Sequence, residues 1–259
     1  MSRKEISRRV FLRNGAATFA AMIFKPDIVN VYNEKEFLSS HEVFQGDTSR
    51  NVVLMTYDDF SSHDNINLIL DAYKEHGCKT SFFFPAGYDR RYLTLGNYRK
   101  EVERIVDEGH VFGCHGLVHD PYTTIDSSKI RSDVEKWLGI VGDIVPGYNV
   151  KWVRFPFGDR NNRTRDIFAE YGMQSVMWSF ESGGEDKDTY NRVTSKVRSP
   201  DIILNHTIRY YDAHEASRIL DYMQSNNISV ESVQTGLAPE DYLKSNLGVS
   251  KKLINSECR

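Results

Sequence analysis

Long apolar runs are missing from this 259-residue chain. None approaches the roughly 20 residues that a helix needs to cross a bilayer, so no stable membrane span is expected. Cysteine is scarce: Cys78, Cys114 and Cys258 are an odd number, which leaves at least one thiol outside any intramolecular pair. Cys78 falls just before one predicted strand and Cys114 at the end of another. If those strands run parallel, the two thiols lie at opposite ends of the sheet, too far apart to bridge, and no structural disulfide is expected. Internal repeats and low-complexity segments are also lacking. So is any basic excess outside the first 26 residues. Setting aside the six basic residues and one acid of that segment leaves 27 Lys and Arg against 35 Asp and Glu, about −8 formally. That balance argues against nucleic acid as a partner, since nucleic acid wants a basic face.

What is present begins with a contrast. Arg3, Lys4, Arg8, Arg9, Arg13 and Lys25 crowd the first 26 residues, and Ser7-Arg8-Arg9-Val10-Phe11-Leu12-Arg13 precedes a modest apolar stretch from Ala16 to Phe24. A basic start followed by a short apolar region is the pattern of a secretory signal. The paired arginines with Phe-Leu behind them resemble a twin-arginine signal. The expectation is export to the periplasm, cell envelope or exterior, with the twin-arginine export machinery as a partner. Residues 27–50 read as a polar linker, 51–232 as the folded domain and 233–259 as a polar tail. At 40% hydrophobic and 27% charged, the chain is composed like an ordinary globular protein large enough for one sizeable core.

Strand patterns at 51–57, 79–84, 110–114, 151–155, 174–178, 201–205 and 228–231 alternate with helical patterns near 64–76, 98–108, 126–141, 162–171, 188–197 and 212–226. Asp64, Asp126 and Asn161 or Asn162 offer N-caps, and Gly77, Gly109 and Gly172 stand just past helix ends. About seven parallel strands alternating with helices imply an α/β fold, barrel-like or doubly wound; periodicity does not choose between them.

Four strand ends carry chemistry. Val52-Val53-Leu54-Met55 runs into Thr56-Tyr57-Asp58-Asp59, two adjacent carboxylates where parallel folds collect catalytic groups. Read alone, either Asp simply caps the next helix. His115-Gly116-Leu117-Val118-His119 follows the strand at 110–114. Two His four apart face one metal if the segment makes a turn, although most such pairs are packing or surface residues. One Asp with two His is a suitable set for zinc or a similar divalent ion, with a position left for water. Arg154-Phe155-Pro156-Phe157-Gly158 closes another strand; Arg154 either points to solvent or pairs with a site carboxylate. Ile202-Ile203-Leu204-Asn205-His206 ends in a His that is either structural or a general acid.

In this order and spacing, the four segments resemble the NodB-type polysaccharide deacetylases, carbohydrate esterase family 4. The resemblance runs from about Asn51 to Val230 and includes Gly77 to Phe84 and Ile105 to His110. It implies a distorted, incomplete (β/α) barrel and a metal-dependent hydrolase removing N-acetyl groups from an amino-sugar polysaccharide: peptidoglycan, a chitin-like chain or an exopolysaccharide. It implies Asp58 as catalytic base, and Asp59, His115 and His119 as ligands of a divalent metal, zinc first. Arg154 is implied to hold Asp58 ionised and oriented, the Phe157 N–H to serve the oxyanion, Leu204 to line the acetyl pocket, and His206 to act as the acid.

The chain also departs from that family. Phe60 replaces the usual Gly of the first motif and is expected to narrow the cleft or offer a stacking face. Gly116 replaces a Ser or Thr whose hydroxyl would steady the loop, so weaker metal affinity is expected. An Asp-Trp pair that tunes the acid His is missing; Trp178-Ser179-Phe180-Glu181 stands in the matching region, with Glu181 as the candidate substitute. Tyr88, Tyr122, Trp178, Phe180 and Tyr210 fall near strand-end loops, as sugar-stacking rings or as core. His63 and His214 read as surface residues. A non-catalytic carbohydrate-binding relative, or an O-acetyl esterase or small-molecule amidase on the same fold, are the competing readings.

Overall fold

A computed structural model of the chain describes residues 38–89 and 93–238. The signal-like segment 1–26, linker residues 27–37, the tail beyond 238 and Cys258 lie outside the described residues. In chain order the elements are β1 (Val52–Asp58), α1 (His63–Glu75), β2 (Ser81–Phe84), β3 (Gly87–Asp89), β4 (Leu93–Thr94), α2 (Arg99–Asp107), β5 (Val111–Cys114) and α3 (Ser127–Ile144). There follow β6 (Trp152–Val153), α4 (Asn162–Glu170), β7 (Gln174–Ser175), β8 (Phe180–Glu181), α5 (Thr189–Lys196), β9 (Ile202–His206), α6 (Tyr210–His214), α7 (Ala216–Ser225) and β10 (Ser229–Val230).

All seven expected strands are present, and parallel pairing runs β7-β6-β5-β2-β1-β9-β8, with β10 beside the start of β1. This is the curled, incomplete barrel. β8 is an addition, as is the β3–β4 antiparallel hairpin. Both are too short to print a period in the sequence.

Period-two alternation along β1 divides the core. Val53, Met55 and Tyr57 face the helices, within a large cluster containing Ile66, Leu70, Phe82, Phe84, Trp137 and Phe168. Val52 and Leu54 face the barrel interior with Phe83, Trp152, Val176 and Ile202. Thr56 and Asp58 continue that interior face, and Leu204 and His206 continue it from Ile202. The same alternation that builds the core therefore aims Asp58 and His206 into the mouth of the barrel.

Helix boundaries agree within a few residues. The N-cap of α1 is Ser62, not Asp64: Ser62 is extended and its hydroxyl accepts the Asn65 N–H at 3.2 Å, which leaves Asp64 in the first turn. Asn161 caps α4 with a reciprocal bond from Thr164. The helix expected at 212–226 is two helices that meet at Glu215.

The folded body is wider than 51–232. Val43 bonds Ser175 O and Met177 N beside β7, while Gln45 bridges Asp201 just before β9. The expected linker thus crosses from the β7 edge towards β9. At the other end, Val233 and Leu237 are buried against Leu54, and the Gly236 carbonyl accepts the Asp47 N–H at 2.8 Å. Apolar residues spaced too sparsely for helix or strand seal the barrel interior.

Cys78 stands before β2 and Cys114 ends β5; no disulfide joins them. No helix among the described residues is long and apolar enough to cross a membrane.

Candidate metal and catalytic site

Parallel register brings the four chemistry-bearing segments to one end of the sheet. Asp58 lies opposite His206 on β9 and Phe83 on β2, and the His115 and Arg154 segments leave the ends of β5 and β6. Asp59 follows in a left-handed conformation, φ 67°. Its N–H bonds Phe83 O at 3.0 Å and its carbonyl accepts the Thr207 hydroxyl at 2.7 Å. His119 and Phe157 are also left-handed, φ 56° and 59°. Three non-glycine residues held in a sparsely populated region within one site are the pattern of strain imposed by surrounding structure for function.

Asp59 Oδ1 faces His115 Nε2 at 3.6 Å and His119 Nε2 at 3.5 Å. That oxygen is buried and has no hydrogen-bond partner among the described residues. His115 Nδ1 sits 2.7 Å from the Arg154 carbonyl oxygen. A carbonyl only accepts, so Nδ1 donates to it, and Nε2 is the nitrogen turned towards Asp59. Burial, and then the neighbouring His115, pull His119 below the ordinary imidazole pKa, which favours its neutral ring. The three ligand atoms lie within 4.8 Å of one another. An orphaned carboxylate oxygen, two converging imidazole nitrogens and a carbonyl that orients one of the rings fit a divalent metal of the zinc type.

Arg154 does not reach solvent. It is fully buried, donating from Nη1 to Asp58 Oδ1 at 2.9 Å and to Thr56 Oγ1 at 2.6 Å. Nε and Nη2 donate to the Val176 and Met177 carbonyls, and the guanidinium lies over the Phe83 ring at 4.5 Å. Burial lowers the Arg154 pKa, which Asp58 opposes; an arginine stays charged under these conditions. Asp58 Oδ1 is thereby occupied, while Oδ2 faces His115 Nε2 at 3.7 Å.

A cleft of about 620 Å³ opens over these groups, lined also by Phe155, Phe157, Trp178, Leu204, His206, Ile208 and Tyr210. Phe157, Ile208 and Tyr210 are its exposed apolar rim, and the Phe157 ring lies edge to face with His119 at 4.5 Å. Asp58, Asp59, His115, His119, Phe157, Trp178, Leu204 and His206 thus share one cleft, and Arg154 is bonded to Asp58. Of the five candidate stacking aromatics, Trp178 and Tyr210 line the cleft. Tyr122 is buried, Phe180 packs on the core, and the Tyr88 side chain lies outside the described part. The sequence reading missed the Phe157 side chain, Thr56, Thr207, Ile208 and Arg209. Only the proximity of the last three to His206 signalled them.

Three expectations about departures are corrected. Phe60 neither narrows the cleft nor offers it a face, because its ring is buried against Phe84 and Tyr98. Glu181 makes no hydrogen bond to the His206 ring and acts on it only through its charge, which raises the pKa less than Asp58 and Asp59 do. It pairs with Arg209 at 3.0 Å, and His206 Nδ1 is buried without a partner among the described residues. Gly116 does not leave the loop unsupported: φ is +88°, and the Tyr122 hydroxyl accepts the Leu117 N–H at 3.1 Å beside it. The carboxylate nearest the His206 main chain is Asp212, which no sequence pattern singled out. It accepts the His206 N–H at 2.8 Å and the Ser182 hydroxyl at 2.5 Å, and burial raises its pKa to about 6. His206 itself is pulled below the ordinary imidazole value, by burial first. His63 is half exposed and stacks on Tyr98 with Nδ1 on Glu101, and His214 stacks on Tyr210, both away from the metal-type cluster.

Comparison with known proteins agrees with this geometry. A 30.6 kDa protein of Geobacillus stearothermophilus is 26% identical over 216 residues, 80% of this chain and 78% of its own length. A peptidoglycan-N-acetylglucosamine deacetylase of Bacillus cereus is 27% identical over 168 residues, 63% of this chain and 58% of its own length. A solved structure from Bacillus anthracis, described as a CE4 family pseudoenzyme, superposes with TM-score 0.69 at 19% identity, covering 76% of this chain and 69% of that one. The sequence profile of the polysaccharide deacetylases matches residues 45–176, just over half of the chain and the stretch that carries Asp58, Asp59, His115, His119 and Arg154. This protein belongs to the polysaccharide deacetylase family.

Proposed function

We propose that this protein is a metal-dependent hydrolase that removes N-acetyl groups from an amino-sugar polysaccharide. One observation carries the reading: the buried, unpartnered Asp59 oxygen faces two imidazole nitrogens immediately beside the buried Asp58–Arg154 pair. Asp59, His115 and His119 would hold the ion. When bound, a divalent ion supplies Lewis acidity, which acidifies water and polarises a carbonyl. Asp58 Oδ2, the oxygen not bonded to Arg154, takes the proton from the attacking water. Arg154 fixes the direction of that carboxylate through its bond to Oδ1. The Phe157 N–H helps hold the charge that develops on the acetamide oxygen, an interaction of about 3 kcal/mol in such sites. Leu204 and Trp178 wall the acetyl group, and His206 gives a proton to the departing amine from its protonated form, which burial disfavours. Acetate and a free amino sugar result.

An open cleft with Phe157 and Tyr210 exposed on its rim suits a polymer better than a small amide. Peptidoglycan, chitin-like chains and exopolysaccharides share the acetylated amino sugar that the site would read. Export through the twin-arginine-like segment 1–26 belongs to the same proposal, because such polymers lie outside the cell membrane. A fusion of that segment to a reporter, with Arg8 and Arg9 changed to Lys, tests the route.

The orphaned His206 Nδ1 favours a second reading, a binding protein of low turnover. Acetate release from N-acetylglucosamine oligomers by zinc-loaded protein, with Asp58→Asn alongside, separates the two. Release lost in the variant supports the hydrolase. Oligomer binding without release supports the second reading.

A further inference from the structure

The segment that starts at His115 is held by three main-chain bonds and two bonds to side chains. His115 N bonds Phe84 O at 3.2 Å, and the carbonyls of Gly116 and Leu117 accept the N–H groups of Ala86 and Gly87 at 3.1 and 3.0 Å. Cys114 Sγ takes the Gly116 N–H at 3.4 Å. The Leu117 N–H goes instead to a side chain from beyond the second histidine, the buried Tyr122 hydroxyl. Burial raises the Tyr122 pKa far above neutrality, so the group stays a hydroxyl. Its ring is fixed edge to face against Phe155 and Phe168, at 6.3 and 5.5 Å.

Gly116 is complementary to this hydroxyl. A Cβ at that position would stand 3.0 Å from Tyr122 Cε2 and 3.1 Å from its Oη, on a backbone at φ +88° that side chains rarely adopt. Any side chain on residue 116 would begin against the phenol of residue 122. The next residue extends the support: the Thr123 N–H and hydroxyl both donate to Asp159, at 2.8 and 2.7 Å. Asp159 follows Phe157-Gly158, so one short turn at 122–124 grips both the histidine loop and the Phe157 loop.

We propose that Tyr122 is the positioning residue of the metal-binding loop, its hydroxyl pre-ordering His115 and His119 in place of a hydroxyl on residue 116. The inference rests on the metal-site reading above and acts through the loop rather than on substrate. Outer contacts of this kind typically change metal affinity by about 10- to 100-fold.

The test is zinc affinity by competition with a chromophoric chelator, read beside the melting temperature of the metal-free protein. Tyr122→Phe keeps the ring packing and removes the hydroxyl. It is expected to weaken zinc about tenfold while lowering the metal-free melting temperature by no more than about 4 °C. Ile219→Val removes a buried methyl from α7, which packs on α1 and β10 rather than on the histidine loop, and is expected to lower the melting temperature with zinc affinity unchanged. Equal affinity in wild type and Tyr122→Phe overturns the proposal, and so does a loss in Ile219→Val as large as that in Tyr122→Phe. If Tyr122→Phe fails to fold, Gly116→Ala reads the same device from its other side: a similar loss of zinc affinity supports it, and unchanged affinity overturns it. Wild type that binds no zinc brings down the metal-site reading itself, a result distinct from tight binding that ignores Tyr122.

Discussion

Arg154 and Asp58 form a buried ion pair, 2.9 Å between Nη1 and Oδ1 with side-chain exposures of 0% and 4%. Removing one partner of a buried pair leaves an uncompensated charge, at a cost of about 3 kcal/mol. Asp58→Asn is therefore expected to lose activity about a thousandfold and also to melt several degrees lower. Asp59→Asn leaves the pair intact. It is expected to abolish zinc binding with a smaller shift in the metal-free melt. Calorimetry of both metal-free variants checks the difference, and equal melting temperatures would sink the structural role given to the pair.

Gly184 and Asp212 are matched as tightly. A Cβ on Gly184 would stand 2.1 Å from the Asp212 carboxyl carbon, so Gly184→Ala must expel the carboxylate that holds the His206 N–H and Ser182. A loss of about 2 kcal/mol is expected in urea unfolding. By contrast, Gly139 and Gly142 on α3 have open space where a Cβ would go. Gly139→Ala is expected to stabilise by about 0.5–1 kcal/mol. The same sign at both positions would refute the packing argument.

His110 supplies a pH dependence remote from the site. Burial lowers its pKa to about 4, its Nδ1 accepts the Thr80 N–H, and its Nε2 is buried without a hydrogen bond among the described residues. The unfolded chain binds this proton near pH 6.5 and the folded chain only near pH 4. The contribution is thus complete above pH 6.5 and is lost as pH falls towards 4, roughly 3 kcal/mol in all. Asp212, raised to about 6, has the opposite sign: the folded state gains relative stability as pH falls from 6 towards the ordinary carboxyl value. Wild type is accordingly compared with His110→Asn. Their stability difference is expected to narrow by about 3 kcal/mol between pH 7 and 4, and a constant difference would count against a buried neutral His110.

Tyr210 is exposed on the rim with one ring face stacked on His214 at 3.7 Å. If the cleft takes a polymer, Tyr210→Ala raises KM for oligomers about fivefold with kcat little changed, the size of one lost stacking contact. A fall in kcat at constant KM would instead place Tyr210 in the chemical step.

The chain alone determined the order of the seven expected strands and of the main helices between them, the Asn161 cap and the placing of Asp58, Asp59, His115, His119, Arg154 and His206 at or just past strand ends. These are local matters. Period-two and 3.6-residue patterns, caps and stops act within a few residues, and a strand's direction decides which end its functional residue occupies. Tertiary structure decided what depends on neighbours remote in sequence. Phe60 turns into the core because Phe84 and Tyr98 make a pocket for it, and Glu181 goes to Arg209 rather than to the His206 ring. Val43 and Val233 become core because the barrel interior needs filling from outside its strands. The loop that lost a hydroxyl at Gly116 regains one from Tyr122, because Phe155 and Phe168 hold that ring where the Leu117 N–H can reach it. Such pairings depend on which side chains the folded sheet brings within about 3 Å of each other, and spacing along the chain does not encode that distance.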